Sequence, residues 1–223
     1  MSERPIDAVV FDFDGVLASS IQVHAVAYQL TLQPLGVPVD VHQVYLREGA
    51  RSETIIRSFM EEAGRDPDEE LVGRLATIKQ RVFERIGEPG LYPWARQVVE
   101  TIDERGYPLA ICTGTRRENV PGIAGELADR FDFVASEETY EHDKPHPQAF
   151  ETAAEGLGVE PERCLAVENA PRGIQSARKA GMVVVGVATT LAAGEVAEAD
   201  LVLADVEDVL DVIPAKPGKP PRT

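Results

Sequence analysis

Short apolar, β-branched runs alternate with amphipathic stretches along most of the chain, and this alternation restricts the fold more than any other feature. Ala8–Phe11, Leu109–Cys112, Phe133–Ala135, Cys164–Val167, Val183–Val187 and Leu201–Leu203 have the length and composition of buried strands. Between them, Arg96–Arg105, Pro147–Leu157 and Pro171–Ala180 carry helical patterns. Short strands separated by helices predict βαβ units, right-handed crossovers and an α/β fold with a mostly parallel sheet.

One stretch breaks the alternation. Residues 19–87 hold no convincing strand, only helical patterns at His24–Leu32, Ser52–Ala63 and Pro67–Ile86, punctuated by turns at Gly36-Val37-Pro38 and Gly64-Arg65-Asp66-Pro67. A helical block spliced after the first strand predicts an inserted domain over 19–87. The α/β core then comprises 1–18 and 88–213, re-entered near Glu88-Pro89-Gly90. The Pro- and Lys-rich end, 214–223, is expected to be disordered.

Composition acts mainly by exclusion. The 223 residues carry a formal net charge of −16 with no Lys/Arg run, which argues against nucleic acid and anionic membrane surfaces as partners. Apolar runs such as Met182–Ala188 are too short to span a bilayer. Met1-Ser2-Glu3-Arg4-Pro5 leads directly into a strand pattern with no secretory signal, and Cys112 and Cys164 read as core thiols, so a cytoplasmic location is expected. The sequence is silent on oligomeric state.

Four polar groups follow strands in order. Phe11-Asp12-Phe13-Asp14-Gly15 closes the first, where ligands of open α/β sheets bind. In strand-like geometry Asp12 and Asp14 face the same way, toward one metal or one reacting group, and Gly15 permits a sharp turn. Thr113, in Cys112-Thr113-Gly114-Thr115, follows the second strand before an expected helix start, and its hydroxyl suits a phosphate oxygen or a plain N-cap. Lys144, in Lys144-Pro145-His146-Pro147, sits in a loop stiffened by two prolines, where its ammonium can neutralise both a phosphate and a nucleophile. Glu168 and Asn169, in Val167-Glu168-Asn169-Ala170-Pro171, offer hard oxygens for Mg2+, while Asn169 also suits a helix cap.

Taken together and in this order, the four motifs resemble those of the haloacid dehalogenase-like superfamily, over nearly the whole chain except its end. The helical insert is similar to the small cap of its β-phosphoglucomutase-like branch. The resemblance implies a Rossmann-like core with an inserted helical cap. It implies Asp12 as the nucleophile that forms an aspartyl-phosphate and Asp14 as general acid and base. Thr113, Gly114 and Lys144 would hold the phosphoryl group. Mg2+ would lie on Asp12, the Asp14 carbonyl and the Glu168-Asn169 motif. The family commonly carries Glu-Asp in the fourth motif, so Asn169 implies one negative charge fewer and weaker Mg2+ binding.

Substrate choice belongs to the cap. Ser20, His24 and Lys79 resemble β-phosphoglucomutase positions, and in that enzyme the counterparts of His24 and Lys79 help to control the acid/base aspartate. Glu48-Gly49-Ala50-Arg51-Ser52-Glu53 places Arg51 one residue early relative to the mutase loop and reads equally as the loop of a sugar-phosphate phosphatase. The expected activity is Mg2+-dependent hydrolysis of a small phosphorylated substrate. A phosphosugar mutase is the alternative, and a silent binding protein the third reading.

Overall fold

The computed structural model describes residues 5–87 and 89–216. In chain order the elements are β1 (Ala8–Phe11), α1 (Ile21–Leu32), α2 (Val41–Leu46), α3 (Ser52–Glu62), α4 (Glu69–Ile86), α5 (Ala95–Glu104), β2 (Leu109–Cys112) and α6 (Asn119–Ala124). They continue as β3 (Phe133–Ala135), α7 (Gln148–Leu157), β4 (Cys164–Glu168), α8 (Pro171–Lys179), β5 (Val183–Val187), β6 (Leu201–Leu203) and α9 (Val209–Val212). The strands form one six-stranded sheet in the order β3-β2-β1-β4-β5-β6. Every pairing in it is parallel. This is the expected α/β, Rossmann-like architecture.

Both faces of the sheet are covered, which is why its strands read as unbroken apolar runs. Val9, Phe11, Leu109, Ile111, Leu165 and Val167 face one cluster, which takes in Val98, Val99 and Ile102 of α5. Ala8, Val10, Ala110, Cys112, Cys164 and Ala166 alternate onto the other face, against Phe150 and Ala153 of α7 and Ile174 and Ala177 of α8. Small side chains on that second face let two helices seat closely.

The chain builds β2 and β3 to one side of β1, then crosses back to lay β4, β5 and β6 on the other. Strand order therefore switches at β1, and the crevice beyond its carboxyl end is where such sheets take ligands. Asp12 and Asp14 lie in the turn there, and Gly15 completes it at φ +90°.

Helices α1 to α4 interrupt the α/β pattern and bury a cluster of their own, including Ile21, Tyr28, Leu32, Ile56, Phe59, Val72 and Leu75. The inward stripe of α4 is Val72, Leu75, Ala76, Lys79 and Phe83, so a lysine occupies a core position at helical spacing. The insert leaves and rejoins the sheet through two strands of backbone tied side by side. Ser19 N–H donates to the Gly90 carbonyl at 2.9 Å, and Tyr92 N–H donates to that of Leu17 at 2.9 Å.

Some expectations need amendment. The short helices α2, α6 and α9 were not foreseen, since four to six residues are too few to show a period. After Thr113-Gly114 the chain turns, and the next helix starts only at Asn119. The expected disorder over 214–223 does not hold at its start: the Pro214 carbonyl accepts from Tyr107 Oη at 2.9 Å, and Lys216 Nζ donates to the Asp7 carbonyl at 2.7 Å. The remainder of that segment, 217–223, lies outside the described residues, as do 1–4 and Glu88. No helix among the described residues is long and apolar enough to cross a membrane.

Candidate active site

Lys144 is fully buried beneath the end of β1. Its ammonium donates to Asp12 Oδ1 at 2.7 Å, to Glu168 Oε1 at 2.9 Å and to the Cys112 carbonyl at 3.1 Å. An ammonium has three protons, and each of these has a protein acceptor. Lys144 therefore clamps the strand ends together and aims Asp12, where sequence suggested a direct phosphate contact. Burial works against its charge, yet the carboxylates of Asp12 and Glu168 outweigh burial and hold its pKa well above the usual lysine value. Burial pushes the Asp12 carboxyl up, against the pull of Lys144. Asp12 Oδ2 is buried with no hydrogen-bond partner among the described residues.

Asp14 lies in the same turn and is held differently. Its Oδ1 accepts from Ser20 Oγ, and its Oδ2 accepts from Thr113 Oγ1 and Thr115 Oγ1, each at 3.0 Å. Burial opposes the charge, but His24 and these hydroxyls prevail and keep the carboxyl well below the usual range. Thr113 is thereby committed, since its hydroxyl also accepts the Thr115 N–H at 3.0 Å. Ser20 stands at the N-cap of α1 yet makes no cap bond, because its hydroxyl turns to Asp14. Thr115 has no place in the sequence reading, although it lies two residues beyond Thr113.

Behind Asp14 stands a buried chain of side chains from the insert. His24 Nε2 lies 3.6 Å from Asp14 Oδ1, just beyond hydrogen-bond range. Its Nδ1 is 2.7 Å from Lys79 Nζ, and an ammonium donor there leaves Nε2 as the protonated nitrogen facing Asp14. His24 stacks on Phe83 at 4.1 Å, and Lys79 lies 4.7 Å over the Tyr28 ring. Burial lowers the Lys79 pKa to about 8.

The loop between α2 and α3 descends onto the core. Glu48 Oε2 accepts from Asn169 Nδ2 at 2.9 Å. Gly49 takes φ +84° and rests on Lys144, since a Cβ there would stand 2.6 Å from Lys144 Cδ. Arg51 is placed away from the expected substrate contact. Its backbone N–H donates to Asp143 Oδ2 at 3.0 Å, and its guanidinium reaches the carbonyls of Glu137, Tyr140 and Glu141. Glu48 was missed by sequence reasoning; its signal was an acid next to the glycine of a loop singled out for its arginine.

These parts enclose a cavity of about 40 Å³ lined by Asp12, Asp14, His24, Glu48, Lys79 and Gly114, among others. Arg51 does not line it. The space suits a phosphoryl group or a few waters and is too small for a phosphorylated sugar.

A metal has partial provision. Among the described residues no three His, Cys, Asp or Glu side chains are grouped to hold an ion. The candidate donors are instead mixed oxygens. Asp12 Oδ2 and Asn169 Oδ1 are buried and without partners, and Asp14 brings a backbone carbonyl to the same turn. Oxygen-only donors suit Mg2+. Asp12, Asp14, Glu48 and Glu168 are all buried here, and their crowded negative charge favours a cation beyond Lys144. Glu168, expected as a ligand, has both oxygens engaged: Oε1 with Lys144, and Oε2 with the N–H groups of Asn169 and Ala170 at 2.8 and 2.9 Å. It thus covers the start of α8, and Asn169 is no cap.

Comparison with known proteins identifies the family and the fold. The family described as haloacid dehalogenase-like hydrolase matches residues 6–181. Protein CbbY of Rhodobacter capsulatus is 31% identical over 192 residues, spanning 81% of this chain and 84% of its own. The β-phosphoglucomutase of Bacillus subtilis is 28% identical over 188 residues, spanning 81% and 82%. The crystal structure of β-phosphoglucomutase from Clostridium difficile shares the fold with a TM-score of 0.83 at 24% identity, covering 92% of this chain and 93% of that one. With its parallel six-stranded sheet, its carboxylate pair at the end of β1 and a family match across most of its length, the chain is an enzyme of the haloacid dehalogenase-like hydrolase family.

Proposed function

We propose that the chain is a Mg2+-dependent phosphatase of a small phosphorylated metabolite, a sugar phosphate by chemical class, acting through an aspartyl-phosphate. The observation that carries the reading is Asp12: one oxygen is fixed by Lys144, while the other is buried and unpartnered on a cavity shared with Asp14. The Asp12 carboxylate attacks phosphorus, the bond from phosphorus to the substrate oxygen breaks, and that oxygen takes a proton from Asp14. Asp14, now a carboxylate, takes a proton from water; the water oxygen attacks phosphorus, phosphate departs and Asp12 is regenerated. The arrangement with Ser20, Thr113 and Thr115 favours Asp14 as the base of the second step. Turning away from those hydroxyls raises its pKa and prepares the acid of the first. Mg2+, held by Asp12, the Asp14 carbonyl and Asn169, would supply positive charge beside the transferring group.

Residues 19–87 act in this reading as a cap that opens for substrate and closes for chemistry, as the small cavity requires. The free, buried thiols of Cys112 and Cys164 accord with a reducing, cytoplasmic setting. A mutase is favoured by one observation, the buried Lys79–His24 pair behind Asp14, which can restrain water attack.

The test is phosphate release from sugar phosphates and an aryl phosphate, with and without Mg2+, beside Asp12→Asn. Release that needs Mg2+ and disappears in the variant is expected. Release that persists in Asp12→Asn rules out the nucleophile. Conversion of β-glucose 1-phosphate to glucose 6-phosphate with little free phosphate replaces the hydrolase with the mutase.

A further inference from the structure

Asn169 leaves the proposed cation site one carboxylate short, and Glu48 meets Asn169 from the opposite side of the cleft. Glu48 is 5% exposed although it sits on a loop between two helices of the insert. One of its oxygens accepts from Asn169 Nδ2 at 2.9 Å. The other, Oε1, is buried without a hydrogen-bond partner among the described residues, as are Asn169 Oδ1 and Asp12 Oδ2. Glu48 also lines the cavity with Asp12 and Asp14. A buried carboxylate with one oxygen unsatisfied is costly unless it takes up a proton or meets something positive, and the ammonium of Lys144 already has its three acceptors.

We propose that Glu48 completes the cation site across the junction, supplying from the cap the negative charge that Asn169 lacks, so that the cation is bound fully only when the insert is seated on the sheet. The inference rests on the reading of Asp12 and Asn169 as Mg2+ ligands. Asn169 then has two tasks at once: Nδ2 positions Glu48, and Oδ1 faces the cation. Its amide also donates to Thr190 Oγ1 at 2.8 Å, which fixes which end points where. The loop is held down independently of any ion by Gly49 on Lys144 and by the Arg51 contacts, so Glu48 arrives in register. An aspartate at 169 would put a carboxylate against Glu48 in place of the amide donor, so the pairing of Glu48 with Asn169 is electrostatically consistent.

The experiment is titration of the full chain with Mn2+, followed by the resonance signal of the free ion, and with Mg2+ by calorimetry, neither of which needs turnover. Glu48→Gln keeps the size and can still accept from Asn169. It is expected to weaken binding about tenfold or more, since ligand charge sets affinity at such sites. Glu48→Gln with Asn169→Asp moves the charge to the other side of the junction and is expected to restore affinity to within a few-fold of wild type, by the same dependence on ligand charge. Binding by Glu48→Gln within about twofold of wild type overturns the proposal, since a charged ligand should count for more. So does a loss that the double variant does not restore, which would make Glu48 a brace for the loop. Asp12→Asn separates the two levels. If it binds as wild type does, the underlying site reading fails; if it loses the ion while Glu48→Gln keeps it, only the role of Glu48 fails.

Discussion

Lys79 stands at an apolar stripe position of α4, 2% exposed, and its charge is tolerated because His24 accepts from it and two aromatic rings face it. Burial lowers its pKa from 10.5 to about 8. Below pH 8 the folded and unfolded chains both hold the proton, and the folded state bears the full cost of the buried charge. Between 8 and 10.5 only the unfolded chain still holds it, so stability from this group rises with pH and is complete above 10.5. At about 1.4 kcal/mol for each tenfold in proton affinity, the swing is roughly 3 kcal/mol. Urea unfolding of wild type and Lys79→Met should therefore show the variant gaining on wild type as pH falls from 10.5 to 7. A stability difference that stays flat over that interval would mean that Lys79 is charged throughout. The lysine was legible as a site residue through its resemblance to known relatives. Its spacing with Val72, Leu75, Ala76 and Phe83 marks it independently, because a charge on a buried helical stripe needs a partner. The acceptors that commit Lys144 and Thr113 were not legible, since Asp12, Glu168 and Asp14 lie far from them in the chain.

At the scale of elements, strands were the easiest features to read, because both sheet faces are buried and each run is apolar throughout. Loops were the hardest. Arg51 was expected on the substrate because its neighbours in sequence resemble a substrate loop, but sequence does not tell which way a loop side chain turns. In the fold it spans the cleft, pairing with Asp143 at 3.2 Å, with side chains 30% and 14% exposed. Thr54 at the start of α3 joins it, donating to Asp143 Oδ2 at 2.8 Å. These contacts fasten the insert to the loop after β3, and in the proposed reading they assign Arg51 to closure. Arg51→Ala should lower kcat/KM about tenfold, the effect of losing charge-assisted hydrogen bonds that favour the closed form by about 1–2 kcal/mol. The loss should be similar for an aryl phosphate and for sugar phosphates, because closure serves both. A loss confined to sugar phosphates would return Arg51 to the substrate.

For the whole molecule, what matters is how differently its parts are joined. The sheet and its helices are bound by apolar burial, and the insert has an apolar cluster of its own. Between them polar contacts, Arg51 with the loop after β3, Glu48 with Asn169, and Ser20 and His24 with Asp14, stand beside an apolar one, Tyr45 and Leu46 of α2 against the sheet's second cluster. A junction with so small an apolar part separates at modest cost, and with a cavity of about 40 Å³ the proposed function needs that separation before a sugar phosphate enters. In the proposed opening the pivot is the pair of connections tied at Ser19–Gly90 and Leu17–Tyr92. The single tryptophan of the sequence, Trp94, lies beside it, stacked on Tyr92 at 4.5 Å with Nε1 3.3 Å from the Val16 carbonyl. Opening pulls at Leu17 and Tyr92 and so loosens the setting of this indole, while closure restores it. Acrylamide quenching of tryptophan fluorescence should therefore fall when Mg2+ and inorganic phosphate are added together, by more than with either alone, because the two share the closed cleft. Quenching that ignores both additions would show that insert and sheet move as one body, and substrate would then have to reach Asp12 by a route other than the opening of this junction.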